Sequence, residues 1–270
     1  MTQDYAKKRA ELIEELDGLR VEIDKEKKIG WLYLDREPLN IVSYLARQQI
    51  CAIIEAFDQD DDVGVVVIRG ANGIYTSGGD VRGFFDVHRN GMSHLSWNMS
   101  APARCSKPVI CALEKYAFGV GFELSLACDF RLATKETLVG LPEVSIGQIP
   151  GSGGAPRLTS LIGLARAKKM IYLGERVPAD TALDWGILTD VAEDQAALDE
   201  MIDKYAARLN ALSPLALSTI KQVMNTAFDS TLDFGMNLEG QAYEKLRDSY
   251  DYTEGANAFF EKRKAVYKGE

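Results

Sequence analysis

Histidine is nearly absent from this chain: His88 and His94 are the two in 270 residues. They share one polar stretch with Asn90 and Gly91, and no G-x-S-x-G, H-E-x-x-H or Cys–His pattern accompanies them. Serine-triad and zinc-protease chemistry are therefore disfavoured. Cysteine is sparse too. Cys51, Cys105, Cys111 and Cys128 lie scattered in or beside apolar segments without C-x-x-C spacing, the pattern of buried reduced thiols. That usage fits a cytoplasmic protein. No apolar run approaches the about 20 residues of a membrane span. The N-terminal MTQDYAKKRAELIEELDG is too charged for the apolar core of a signal peptide, so no membrane partner is expected. Positive charge is in deficit. Lys and Arg total 31 against 40 Asp and Glu, leaving a net charge of -9, which argues against a general nucleic-acid binder. The one dense acidic run, DQDDD from Asp58 to Asp62, lacks a surrounding ligand pattern and reads as a solvated loop. No metal is expected.

What is present is alternation and glycine. Residues 3–17 read as a short charged helix, with Gly18 as its stop. LRVEID and IGWLYLD alternate apolar and polar around KEKK, which predicts a β-hairpin. A helix is expected over about 43–57, with Leu45, Ile50, Ile53, Ile54 and Phe57 on its apolar side. VGVVVIRG and KPVICALE are continuous apolar runs, as in strands buried on both faces. GVGFELSLACD reads as a helix, FRLATKETLVGLP as strand and loop, and IPGSGGAPRL opens a helix over about 154–163. Repeated strand, turn and helix predict an α/β fold with a parallel sheet. From about 198 the pattern turns helical. Three parts are expected: an N-terminal helical extension at 1–17, an α/β core at 18–197 and a helical region at 198–270.

Three glycine-rich turns follow or precede these elements: Ser77–Asp80 (SGGD), Phe118–Phe122 (FGVGF) and Gly151–Gly154 (GSGG). None matches a P-loop or dinucleotide fingerprint. Together they supply exposed backbone N–H groups after buried strands, which is what a developing oxyanion needs. Glu123 stands among Val120, Phe122, Leu124, Leu126, Ala127 and Cys128, and Glu143 stands between Pro142 and Val144. A carboxylate in apolar company is costly unless paired. Each is either satisfied by hidden partners or held there for proton transfer, with its protonation set by burial and by the other carboxylate.

The segments SGGDV, KPVICALEKYAFGVGFELSLACDFRLAT and GLPEVSIGQIPGSGGAPRL, in that order, resemble the signature region of the enoyl-CoA hydratase/isomerase (crotonase) superfamily. The resemblance runs to the C-terminal FFEKRKAVYK and covers about residues 20–268. It implies a crotonase-like spiral of ββα units. The helical C-terminal region would build a homotrimer or homohexamer. It implies an acyl-CoA substrate whose coenzyme A needs no separate cofactor. The oxyanion-hole N–H groups fall on Gly79 and Val120, where relatives commonly carry glycine at the second place. The two glutamates of the hydratases fall on Glu123 and Glu143, and the N–H that helps hold the reacting water falls on Gly151. Arg82, beside Ser77 and Asp80, matches the coenzyme A side, and Phe259 and Lys262 match residues that reach the ligand in the oligomer. Residues 83–98, with Phe84, Phe85 and Trp97, form part of the expected acyl wall. The implied activity is hydration of a 2-enoyl-CoA. Sibling activities (isomerase, ring or thioester hydrolase, hydratase-lyase) and a non-catalytic RNA-binding relative stand as alternatives.

Overall fold

The computed structural model describes residues 2–85 and 94–270. His88, Asn90 and Gly91, with the middle of the expected acyl wall, lie outside them. The first helix, α1 (Thr2–Leu12), is shorter than the expected 3–17. The reason is a clasp. Gln49 Nε2 donates to the carbonyls of Leu12 and Glu15, at 2.8 Å each, and its Oε1 accepts from Asp17 N–H at 2.8 Å. Those carbonyls are thereby diverted from helix bonds. Ile13 and Leu16 pack on the main core, so the extension is not a detached arm.

The predicted hairpin forms as β1 (Leu19–Asp24) and β2 (Ile29–Leu34), paired antiparallel. Helix α2 (Tyr44–Asp58) follows, capped by Ser43, whose Oγ accepts from Ala46 N–H at 3.0 Å. Strand β3 (Val65–Gly70), short helices α3 (Leu95–Met99) and α4 (Ala101–Arg104), and strand β4 (Val109–Leu113) come next. The chain continues through β5 (Tyr116–Phe118), α5 (Val120–Ser125), β6 (Phe130–Thr134) and β7 (Leu138–Gly140). The expected helix over GVGFELSLACD ends early, at Ser125. Ala127 and Cys128 bond back only three residues, to Leu124 and Ser125, which winds the chain down into β6. Then come α6 (Gly154–Ile162), α7 (Leu164–Tyr172), β8 (Val177–Pro178), α8 (Ala179–Asp184), β9 (Asp190–Ala192) and α9 (Gln195–Asn210). Three helices close the chain: α10 (Pro214–Phe228), α11 (Leu232–Leu246) and α12 (Tyr250–Glu261).

The main sheet has the order β1-β2-β3-β4-β6-β9 and is parallel from β2 onward. The period of two explains why Val65–Ile68 of β3 and all of β4 are apolar. Val66, Ile68, Val109, Cys111 and Leu113 point into one core with α2 and α5. Val65, Val67, Ile110 and Ala112 point into the other, against Leu198, Ile202 and Ala206 of α9. A second sheet, β5-β7-β8, sits where the glycine turns converge. Asp251 accepts from Ser213 Oγ at 2.5 Å and Lys268 N–H at 2.7 Å, and so ties the C-terminal tail to α10.

On α10 Val223 is buried, Leu215 and Leu217 are half-buried, and Ile220 is exposed. With Met224, Phe228, Leu232, Phe234 and Met236 it makes an outward apolar surface on α10 and α11. No helix among the described residues is long and apolar enough to cross a membrane.

Candidate active site

Two parallel bridges bring two of the glycine turns together. Val42 pairs with Gly79, and Thr76 pairs with Ala117. Val42 N–H donates to Gly78 O, and Asp80 N–H donates to Val42 O, at 2.9 and 3.1 Å. Gly79 N–H is left facing the other way. Across from it, Gly119 holds φ 53° and ψ -131°, a conformation open to glycine alone. A Cβ there would also lie 3.3 Å from Glu143 Oε1 and 3.8 Å from Gly78 Cα. This turn starts α5, so Val120 is its first residue and its N–H has no partner within the helix. Among the described residues, neither Gly79 N–H nor Val120 N–H donates a hydrogen bond. Two unused donors on adjacent turns are the elements of an oxyanion hole. The side chain of Val120 is buried, so its branched carbons fill core rather than the space before the N–H.

One turn into α5 stands Glu123, 2 % exposed. Its Oε1 accepts from Ser152 N–H at 2.7 Å and from Gly154 N–H at 2.9 Å. Those two groups begin α6, so a carboxylate from one helix caps the N-terminus of another, where the helix dipole favours negative charge. The third glycine turn thereby pairs the buried acid. Its last glycine is required by contact: a Cβ on Gly154 would lie 2.7 Å from Glu123 Cγ. Oε2 of Glu123 has no hydrogen bond among the described residues and is the acceptor available to a ligand. Gly151, expected to help hold water, is exposed immediately before this cap.

Glu143 opens a short 3-10 turn, Glu143–Ile146, after β7. Its Oε2 is buried without a partner among the described residues. Burial pushes its pKa up to about 7, with the charge of Glu123 adding to the rise and its own backbone N–H and Arg47 opposing it. The site therefore holds one carboxylate fixed by two donors and one carboxyl that keeps its proton near neutrality. That division suits a base and an acid.

The structure adds a residue that the sequence reading passed over. Arg47 lies on the buried side of α2 with Ala46, Gln49 and Ile50, while the expected Leu45 is 45 % exposed. Its guanidinium stacks 4.8 Å from the Tyr44 ring centroid. Its Nη1 stands 3.5 Å from Ser152 Oγ. The signal was present: Arg47 precedes Ile50 by three and Ile54 by seven, which is the apolar stripe itself.

Of the remaining expected residues, Ser77 and Asp80 are half-buried beside Gly79. Asp80 Oδ1 accepts from Arg82 N–H and Gly83 N–H, which turns the chain into the 3-10 segment Arg82–Phe85. Arg82 itself is exposed. Phe84 lies against Tyr44 and within 3.3 Å of a Cβ on Gly79, so it borders the site. Phe85 and Trp97 are exposed, and His94 is exposed. Phe259 lines a cleft of about 1220 Å³ between α10, the C-terminal tail and the segment 106–108; none of the glutamate-site residues lines it. Exposed Lys262 caps α12 nearby with φ 58°. Within one chain, neither residue is brought to the glutamates.

Known proteins resemble this chain over most of its length. The family model described as enoyl-CoA hydratase/isomerase matches residues 24–270. A crotonyl-CoA hydratase of Syntrophomonas wolfei is 30 % identical over 253 residues, 91 % of this chain and 96 % of that protein. A mitochondrial enoyl-CoA hydratase of Pongo abelii is 30 % identical over 252 residues, 91 % of this chain and 86 % of that one. The solved structure of an enoyl-CoA hydratase from Bacillus anthracis superposes with a TM-score of 0.87 at 31 % identity, covering 94 % of this chain and all of its own.

Proposed function

The chain belongs to the enoyl-CoA hydratase/isomerase family, and from that premise we propose that it adds water across the 2,3-double bond of an acyl-CoA thioester. The observation that carries this reading is the pair of unlike acids beside two unused N–H donors. The thioester oxygen accepts from Gly79 N–H and Val120 N–H. Electron density leaves the double bond and Cβ becomes electrophilic. A water lies between Glu123 and Glu143, with Gly151 N–H beside it. Glu123 takes a proton from that water as its oxygen bonds to Cβ, and the resulting enolate takes a proton at Cα from Glu143. Product release and exchange with solvent return the proton from Glu123 to Glu143. Ser77, Asp80 and Arg82 lie on the coenzyme A side.

A mass-resolved screen of straight, branched, cyclic and aromatic 2-enoyl-CoA esters tests this. The expected result is a gain of one water by at least one ester, without release of free coenzyme A. Release of coenzyme A without hydration, or a moved double bond at unchanged mass, would assign a sibling reaction instead.

The same reading extends to assembly. Met224, Phe228, Leu232, Phe234 and Met236 leave an apolar surface on α10 and α11 that one chain does not cover. We expect copies of this chain to cover it in a threefold oligomer, which would carry Phe259 and Lys262 toward a neighbour's ligand. Light scattering at micromolar concentration should give a trimer or hexamer. A stable monomer would reject both the assembly and those two ligand contacts.

A further inference from the structure

Arg47 is 5 % exposed, yet no carboxylate oxygen lies within salt-bridge distance of it among the described residues. A guanidinium taken out of water is costly unless its donors are met; the Tyr44 ring stacks on this one and the charges of Glu123 and Glu143 act on it, yet most of its five donors are idle. Nη1 has Ser152 Oγ, at the long distance of 3.5 Å. Among the described residues, Nε is buried with no hydrogen bond. Nη2 makes none either, and lies 3.0 Å from where a Cβ on Gly79 would sit. The free pair, Nε and Nη2, forms one edge of the guanidinium. That edge takes a carboxylate by two parallel N–H···O bonds. The two nearby acids do not use it. Glu123 Oε1 accepts from Ser152 and Gly154 N–H, and Glu143 Oε2 has no partner among the described residues.

The position of this edge bears on the acyl group. Gly79 supplies one of the two donors to the thioester oxygen in the reading above, on which this inference rests. A group bound at Nη2 is therefore only a few bonds from the thioester carbon. A plain hydrocarbon chain would leave the edge empty and the charge unpaired. We propose that the Nε–Nη2 edge of Arg47 receives a carboxylate on the acyl group, so that the preferred substrate is a short 2-enoyl-CoA ending in a carboxylate.

The test compares crotonyl-CoA with glutaconyl-CoA, which is the same enoyl thioester extended by a terminal carboxylate. Rates are measured for the parent chain, Arg47→Met and Arg47→Lys. Calorimetric binding of the saturated pair, butyryl-CoA and glutaryl-CoA, runs beside them and needs no turnover. The parent should favour glutaconyl-CoA in kcat/KM. Arg47→Met should reduce that preference by about tenfold to a hundredfold, the worth of a charged hydrogen-bonded pair. It should reduce the glutaryl-over-butyryl binding preference alike. Arg47→Lys, a point charge without the fork, should restore part of both. Replacing a buried unpaired charge by an apolar side chain of similar length should not unfold the protein; a melting curve checks this, and the lysine variant carries the test if methionine fails. Equal losses on both esters in Arg47→Met would overturn the proposal, because the guanidinium would then serve the glutamates alone. A parent that hydrates neither ester, yet binds glutaryl-CoA over butyryl-CoA through Arg47, would leave this proposal standing, and the wider ester screen would then decide the hydration reading.

Discussion

Replacing Glu123 with glutamine should abolish hydration while leaving exchange of the Cα proton of a saturated acyl-CoA measurable. In the proposed mechanism enolate formation needs Gly79 N–H, Val120 N–H and one proton acceptor, the role given to Glu143. Water addition needs the second carboxylate as well. Loss of a positioned base costs about 10²–10⁴-fold in rate. The amide oxygen of glutamine can still accept from Ser152 and Gly154 N–H, so the start of α6 keeps its cap. Exchanging a charged acceptor for a neutral one weakens it by about 1 kcal/mol, small enough for circular dichroism to report a native fold. Gly154→Ala is the companion: its new Cβ meets Glu123 Cγ at 2.7 Å, so hydration should drop with the carboxylate still present. The measurement is deuterium uptake at Cα by mass spectrometry beside the hydration rate. Equal loss of both activities in folded Glu123→Gln would mean that the glutamates act as one unit. Unchanged hydration would mean that Glu123 is only the cap of α6.

Glu143→Gln should lose about 10²–10⁴-fold in hydration rate with little change in coenzyme A ester affinity. It should also change the response to pH. A carboxyl with its pKa raised to about 7 in the folded chain binds its proton over a range where the unfolded chain, with the ordinary value of 4.5, has released it. That contribution to stability is present at low pH and is lost as pH rises through about 7. Glutamine has no proton to lose. The melting temperature of the variant relative to the parent should therefore be higher at pH 8 than at pH 5. For the parent, kcat/KM should fall as pH rises through about 7, because the donor to Cα is then deprotonated. A flat parent profile through that range, or comparable hydration rates for variant and parent, would remove Glu143 as the acid.

The sequence pattern was reliable where structure is local. Unbroken apolar runs in β3 and β4 have a period of two, and both faces of the sheet are covered, as their residues require. Ser43 caps α2 where the helix was expected to begin. It failed where a distant partner intervened. Gln49, on α2, ends α1 at Leu12. Leu45 of α2 faces outward although it is leucine, and Arg47 packs inward although it is charged, because contacts with distant segments decide both.

By itself, then, the sequence determined the alternation of strand, turn and helix, the three glycine turns, and two acids in apolar company. Their order along the chain was sufficient to indicate the family. The tertiary structure alone decided what satisfies those acids. The N–H groups that hold Glu123 come from residues 29 and 31 positions away. The raised pKa of Glu143 arises from the burial that its neighbours impose. The idle edge of Arg47 exists because α2 and two separate glycine turns meet around it. Periodicity and turn chemistry act over a few residues and are written in the local sequence. Desolvation and hydrogen-bond pairing depend on which distant segments come within 3 to 4 Å, and only the folded chain sets that distance.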